Sequence, residues 1–330
     1  MLKRRLVGLK DESGVVTLVT ALGMVALLGM AALALDIAHL LTVKNELQRV
    51  ADAGAMAGAR GLWPSTMPIV LNPPSNPDCA TGYIRGLNVA TNDNNKVDGT
   101  RLHWWEVSIH VGRWDYATMQ FSEGCLSNTN AVRVTARRNS VPMFFAGILG
   151  QGPKDLTATS TSVMDFAKGL GKGGLPIAIN KRYVNPGQYL FINFTPDQYD
   201  NGGWFADPPD GANARTFRDY IDYGTCPPLH VGDTISLQNG QDTSALQDLH
   251  DKLLEHGGSW DTFLPVVNTD QFNQSQPIMG FVPFRITAVV TTGDGKGVGG
   301  NILGLAEAGM AEPGGENCGL LAPAKAVGGS

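Results

Sequence analysis

No charge interrupts the apolar positions from Val15 to Leu35, and Asp36 then follows without disturbing the helical pattern. A bilayer core about 30 Å thick takes roughly 20 apolar residues in a helix, so this run has the length of one membrane span. Beyond it, in "DIAHLLTVKNELQRVADAGAMAGARG", Leu40, Val43, Leu47, Val50, Gly54 and Ala57 recur at steps of three and four. That spacing is the apolar stripe of an amphipathic helix, with Lys44, Glu46, Gln48, Arg49 and Asp52 on its other faces. No proline intervenes before Pro64, so one helix is predicted from about residue 15 to 60. At 1.5 Å per residue it would extend roughly 70 Å, far longer than a bilayer needs. Its upper half is expected to pack on the chain's own body, or against neighbouring subunits as well, since both uses require the same stripe.

Periodicity changes further on. Residues 61 to 100 are rich in turn formers, and "LNPPSNPDC" and "NVATNDNNKVDG" read as loops. Trp105, Val107, Ile109 and Val111 then alternate with polar neighbours, as do Val132, Val134 and Ala136, and residues 156 to 164 form a third strand candidate. The expected fold class is α+β: the long helix covers an antiparallel sheet in a pilin-like first domain, followed by a mainly β second domain. The divisions expected are a basic tail (1–14), a transmembrane helix (15–35), a stalk plus first domain (36–168), a glycine-rich linker (169–174) and the second domain (175–330). Strand candidates in the second domain are "LPIAINK", "QYLFINF", "GDTISL" and "GFVPFRITAVVTT". One helix, "TSALQDLHDKLLEHGG", would present Leu246, Leu249, Leu253 and Leu254 on its apolar face and stop at Gly257.

Charge orients the span. Lys3, Arg4, Arg5 and Lys10 precede it, which places the N-terminus in the cytoplasm and the body outside. A cleaved secretory signal is the alternative, with "AALA" at 31 to 34 as its cut. The apolar run is longer than a signal's usual 7 to 15 residues, and the helix continues through the cut, so an uncleaved anchor is expected. A net charge of −5 gives no electrostatic reason to expect nucleic-acid binding.

Four cysteines, Cys79, Cys125, Cys226 and Cys318, are too widely spaced for a CxxC site. Outside the cytoplasm an even number suits disulfides. Cys79 and Cys125 both flank the first sheet and are the first pairing to expect, with Cys226 and Cys318 pairing across the second domain; four cysteines permit three connectivities.

Chemistry is sparse. His250 and His256 are spaced wrongly for two ligands on one helix face. "CPPLH" brings Cys226 near His230, where a disulfide is a better expectation than a thiol–imidazole pair. "GDGKGVGG" holds a GxGxxG pattern but reads as a glycine loop, because a nucleotide fingerprint also needs a following helix in a βαβ unit. "NDNNKVDG" has Lys96 where a calcium loop needs oxygen and Val97 where it needs glycine. No catalytic, cofactor-binding or metal residues are therefore expected, and no cofactor. "VPMFFAGILG" (141–150) is a dense apolar patch that would serve either the core or an assembly surface.

Residues 12 to 60 resemble the N-terminal segment of the TadE/TadG-like proteins of bacterial tight-adherence (Flp) pilus systems. The resemblance rests on the basic start, the Gly14 before the apolar run, "LALDIAHL" with its membrane-end Asp36, and the alanine-rich "NELQRVADAGAMAGA". It continues more weakly through "VGRWDYATMQF", "NAVRVTARRNSVPMFFAGILG" and "LTATSTSVM". Pseudopilins cut by a prepilin peptidase carry a glutamate five residues after the glycine; here Val19 occupies that place, so permanent anchoring is expected. No D-x-S-x-S string marks a von Willebrand A metal site.

The resemblance implies a non-enzymatic structural or assembly component, single-pass in the inner membrane with a periplasmic body, or incorporated into an extracellular pilus. Its partners would be the lipid bilayer and other pilus proteins (pseudopilins, the inner-membrane platform, the secretin), in a homo- or hetero-oligomer. Two alternatives of other classes are a pilus-tip adhesin or carbohydrate-binding module, with "NGGWFADPPDG" as its binding loop, and a membrane-tethered envelope hydrolase.

Overall fold

The computed structural model describes residues 12–63, 76–172, 174–195, 201–207, 212–293, 295–304, 306–309, 311–315 and 317–329. Most of the basic tail, most of "LNPPSNPDC" and residues 208–211 of "NGGWFADPPDG" lie outside these. The fold is α+β, as the periodicity predicts.

A single helix, α1, runs from Glu12 to Leu62, about 76 Å at the helical rise. Its large apolar side chains from Val16 to Leu35 are solvent-facing, whereas Val43, Leu47, Val50, Ala51, Ala55, Ala59 and Leu62 are buried. Thr20, inside the apolar stretch, returns its hydroxyl to the Val16 carbonyl at 2.8 Å, which pairs that hydroxyl within the helix.

The described residues of 61–100 depart from the loop expectation. They contain α2 (Cys79–Ala90), capped by Asp78, whose carboxylate accepts from the Thr81 amide at 2.9 Å. Two glycines make this segment look like a turn region, yet they are what lets α2 lie against α1. A Cβ added to Gly82 would stand 2.8 Å from Leu62 Cδ2, and one added to Gly61 would stand 2.9 Å from Gly82 Cα. A two-strand hairpin follows, β1 (Lys96–Val97) and β2 (Thr100–Arg101).

A short 3₁₀ turn at Trp104–Glu106 takes the place expected for the start of a strand, leaving Trp105 exposed. The strand itself, β3, spans Val107–Asp115, and β4 (Gln120–Glu123), β5 (Ala131–Val141) and β6 (Lys154–Val163) complete the antiparallel run. The inner faces of β5 and β6, Val132, Val134, Ala136 and Ala158, form one core with the buried stripe of α1. Each valine or leucine so removed from water contributes on the order of 1.5–3 kcal/mol and each alanine less, which holds the helix's upper half on the sheet.

The chain continues through β7 (Ala167–Leu170), β8 (Ile177–Asn180), β9 (Tyr189–Ile192), β10 (Gly202–Ala206), α3 (Ala214–Tyr223), β11 (Leu229–His230) and β12 (Thr234–Gln238). After α4 (Thr243–Glu255) come β13 (Trp260–Val267), β14 (Ser275–Pro277), β15 (Gly280–Val290), β16 (Gly297–Ile302), β17 (Ala306–Glu307), β18 (Ala311–Pro313), β19 (Leu320–Leu321) and β20 (Lys325–Gly329). Eight strands form one sheet in the order β14-β12-β10-β8-β13-β15-β16-β9. All its pairings are antiparallel except β8 with β13.

Several expectations for this region are corrected. Two helices, not one, pack here: α3 is an additional element, capped by Asn213. Leu254 is 62% exposed, because the buried face of α4 is Ala245, Leu246, Leu249 and Leu253. The glycine-rich stretch at 169–174 begins inside β7, which pairs with both β11 and β18. "GDGKGVGG" ends as strand β16: a Cβ at Gly300 would fall 2.1 Å from the Arg285 carbonyl, so glycine is needed for close strand packing. β20 returns to the first sheet and pairs with β6.

The link after β6 is clasped from several sides. Gly314 and Gly315 donate backbone N–H bonds to the Phe166 carbonyl at 3.0 and 2.8 Å, Ala322 donates to Asp165 O at 2.9 Å, and the Phe166 ring meets Trp63 edge-on. The upper end of α1 is thereby tied to the start of the second region.

Candidate functional site

The upper and lower halves of α1 meet at Asp36, the one charged side chain on the helix that is fully buried among the described residues. Its burial is explained by the segment joining β5 to β6. A register shift between Arg138 and Val141, with Ser140 at φ 55, bends β5 at its end. The chain then turns toward the helix and forms a 3₁₀ turn at Ala146–Leu149, closed by Gly150 at φ 79. That turn has no cap from its own N-terminal residue; Asp36 supplies it from α1.

The Asp36 carboxylate accepts three backbone N–H bonds. Phe144 N donates to Oδ1 at 2.7 Å, Phe145 N to Oδ2 at 3.1 Å and Ala146 N to Oδ2 at 2.6 Å. Successive amides converging on one carboxylate make a strong, charge-assisted arrangement. Burial pushes the carboxyl upward, but the amides of Ala146, Phe144 and Phe145 outweigh it and hold the group below its ordinary range. The His39 ring packs on Phe144, with centroids 5.0 Å apart.

The residues expected to pack the helix are distributed as follows. Val43, Leu47, Val50 and Gly54 are buried, and Leu40 and Ala57 are half-buried. The core they join belongs to this chain's own sheet and to α2. The face left open carries Ile37, Leu41, Asn45, Arg49 and Met56. Fixed polar contacts flank the docked face: Lys44 Nζ donates to the Thr157 carbonyl and Glu46 accepts from the Asp98 amide at 2.8 Å.

Cys79 and Cys125 form a disulfide, with Cα atoms 6.2 Å apart, as expected from their flanking positions. The Cys226–Cys318 bridge does not form. Cys226 lies in a core cluster with Phe205 and Leu229, whereas Cys318 joins the cluster around Trp204 and Phe284. Nor is Cys226 a nucleophile: burial, with Asp207 nearby, pushes its thiol up to about 12. His230 is engaged by Asp233 at 3.3 Å and Glu312 at 3.9 Å.

"NGGWFADPPDG" is not an exposed binding loop over its described residues. Gly202–Ala206 is the buried strand β10, where Trp204 stacks between Phe194 and Phe217 and its Nε1 donates to the Gly240 carbonyl at 3.0 Å. Among the described residues, no group of three or more His, Cys, Asp or Glu side chains is placed to hold a metal ion. The role of the 144–146 amides was not readable from sequence, since their partner lies more than a hundred residues earlier.

Two family models match. Residues 14–61 match the family described as Flp pilus-assembly, TadE/G-like, and residues 79–162 match one described as Tad-like Flp pilus-assembly. No curated protein and no solved structure matches the chain.

Proposed function

We propose that this chain, which matches Flp pilus-assembly families over residues 14–61 and 79–162, is a TadE/TadG-like, non-enzymatic assembly component anchored in the bacterial inner membrane by the lower half of α1. The observation that carries the reading is the division of one unbroken helix. Its apolar window has a mean hydropathy of 2.4 and none of it is buried, while the stripe directly above it is docked on a sheet. An exposed window of this length is stable in lipid and not in water. The lysine and arginine residues ahead of it support a cytoplasmic N-terminus, and the Cys79–Cys125 disulfide supports an oxidising, periplasmic location for the body.

Packing with other pilus proteins would use the open face of α1. Ile37 and Leu41 are exposed just above the span, so a neighbouring helix can continue alongside from lipid into the periplasm. The description of the matched families as pilus-assembly supports a structural rather than a catalytic role.

Fractionation with surface labelling tests this. The mature protein should sediment with membranes after alkaline washing and retain its basic N-terminus. A membrane-impermeant maleimide, applied after outer-membrane permeabilisation, should label a cysteine placed at Tyr223, which is 75% exposed. A soluble mature polypeptide beginning after Leu35 would reject the anchor.

A further inference from the structure

The segment between β5 and β6 presents an apolar surface that the fold does not cover. Phe144 is 61% exposed and Ile148 is 84% exposed. These side chains are not at an arbitrary height. Phe145, Ala146 and Ile148 face Gly29, Ala32 and Leu33 of α1 across an apolar cleft of about 130 Å³. Gly29 lies seven residues before Asp36, about 10 Å nearer the N-terminus along the helix. With residues 15–35 as the span, the tip of the segment is level with its outer third.

We propose that residues 143–148 are a second membrane-contacting element, inserted among the acyl chains of the outer leaflet beside α1; this rests on the reading that α1 spans the bilayer. Most of the turn's amides are prepared for that location. In hydrocarbon an unpaired N–H is costly, so irregular backbone enters lipid only when its polar groups are satisfied internally. Here the amides of Phe144, Phe145 and Ala146 end on Asp36. Those of Ile148, Gly150 and Gln151 end on the carbonyls of Phe145, Gly147 and Ala146 at 3.0, 3.1 and 3.0 Å. Pro142 has no N–H to satisfy. Lys154 follows at the start of β6, where a cation would meet the headgroup layer. Asp36 then acts as an internal acceptor at the membrane surface: it closes the amides of a turn that lipid could not solvate. Two contacts, one along α1 and one beside it, fix the tilt of the body over the membrane, which a lone helix does not.

Site-directed spin labelling of the full chain in liposomes tests the proposal. Single cysteines are placed by Ile148→Cys, Leu28→Cys and Tyr83→Cys. Cys226 and Cys318 are 0% and 6% exposed and do not compete for label, and Cys79 and Cys125 are bonded. Tyr83 adjoins Gly82, which packs against Gly61, so it marks a point about 38 Å above Asp36. Collision rates are measured with oxygen, which concentrates in lipid, and with the water-soluble nickel complex Ni(II)EDDA. The label at 148 should behave as the label at 28, with oxygen favoured over nickel, and the label at 83 should show the reverse. Nickel access at 148 with lipid-like behaviour at 28 would overturn the insertion while leaving the anchor intact. Shielding of 148 from both agents would also overturn it, in favour of a protein partner on this patch. Nickel access at 28 would instead remove the anchor on which the inference rests.

Discussion

Asp36 Oδ2 lies 2.6 Å from the backbone nitrogen of Ala146, 110 residues further along the chain. This contact couples the end of the apolar stretch to the turn after β5, so the position of the sheet along α1 is set by a hydrogen-bonded junction and not by helix length alone.

The first prediction concerns that junction. Replacing Asp36 by Asn leaves one acceptor oxygen for three amides, and the thermal midpoint of the detergent-solubilised protein should fall at neutral pH. The folded-state pKa is depressed, so the carboxylate's contribution is present above its ordinary value of 3.8 and is lost as pH falls through the lower folded value. The gap between wild type and Asp36→Asn should therefore narrow in acid. Equal gaps at pH 7 and well below pH 3.8 would show that the charge is not what holds the turn.

A second prediction follows from the crossing of α1 and α2. Alanine is a better helix former than glycine by about 1 kcal/mol, which alone would favour Gly61→Ala. The new Cβ would stand 2.9 Å from Gly82 Cα and from the Thr81 carbonyl, both backbone atoms. Overpacking costs about 1–3 kcal/mol, so the net effect should be destabilising. Chemical denaturation that found the variant more stable than wild type would mean the helices can separate freely.

How far the sequence revealed this arrangement depends on the kind of signal. α1 was legible because its period is regular and no proline breaks it, and β3 and β5 because their apolar positions alternate. α2 was hidden by Gly82 and Gly86, whose low helix propensity disguises a helix while their lack of a side chain permits the close crossing. β10 resembled a loop because its glycines and the prolines after it outweigh Trp204 and Phe205, although those two are fully buried. The apolar density of 141–150 was visible, but not its acceptor, because hydrogen bonds between distant segments leave no periodicity. The cysteine pairing divided similarly. Cys79 and Cys125 meet because α2 starts where the β4–β5 loop passes, whereas Cys226 and Cys318 were drawn into separate cores.

The cysteines give a third prediction. Removing the 46-residue cross-link by Cys125→Ser frees chain entropy in the unfolded state worth about 4 kcal/mol. The denaturation midpoint should fall accordingly, and should not respond to reductant as wild type does. In the same protein Cys226 should resist iodoacetamide at pH 8 under native conditions, since its thiol is pushed up to about 12 and it is buried. Rapid native alkylation at Cys226 would contradict both its burial and its pKa.

The last prediction concerns Arg138, which ties the hairpin β1–β2 to the sheet. Its Nη1 contacts Glu106 Oε1 at 2.9 Å, and its Nη2 donates to the carbonyls of Val97 and Thr100 at 2.9 and 3.0 Å. The hairpin in turn holds Asp98 against α1, where its amide meets Glu46 and its carboxylate lies 3.9 Å from His39. The Arg138 and Glu106 side chains are only 14% and 9% exposed, so removing either leaves the other charge without its ion partner, at about 3–5 kcal/mol. Arg138→Ala and Glu106→Ala should each destabilise by that order, and the double variant by clearly less than their sum. Strict additivity in this cycle would show that the two side chains do not act as a unit. Hydrogen exchange offers the corresponding local readout: in Arg138→Ala, protection should be lost at Asp98 before it is lost at Val132 or Val134, because the hairpin detaches while the core beneath α1 stays closed.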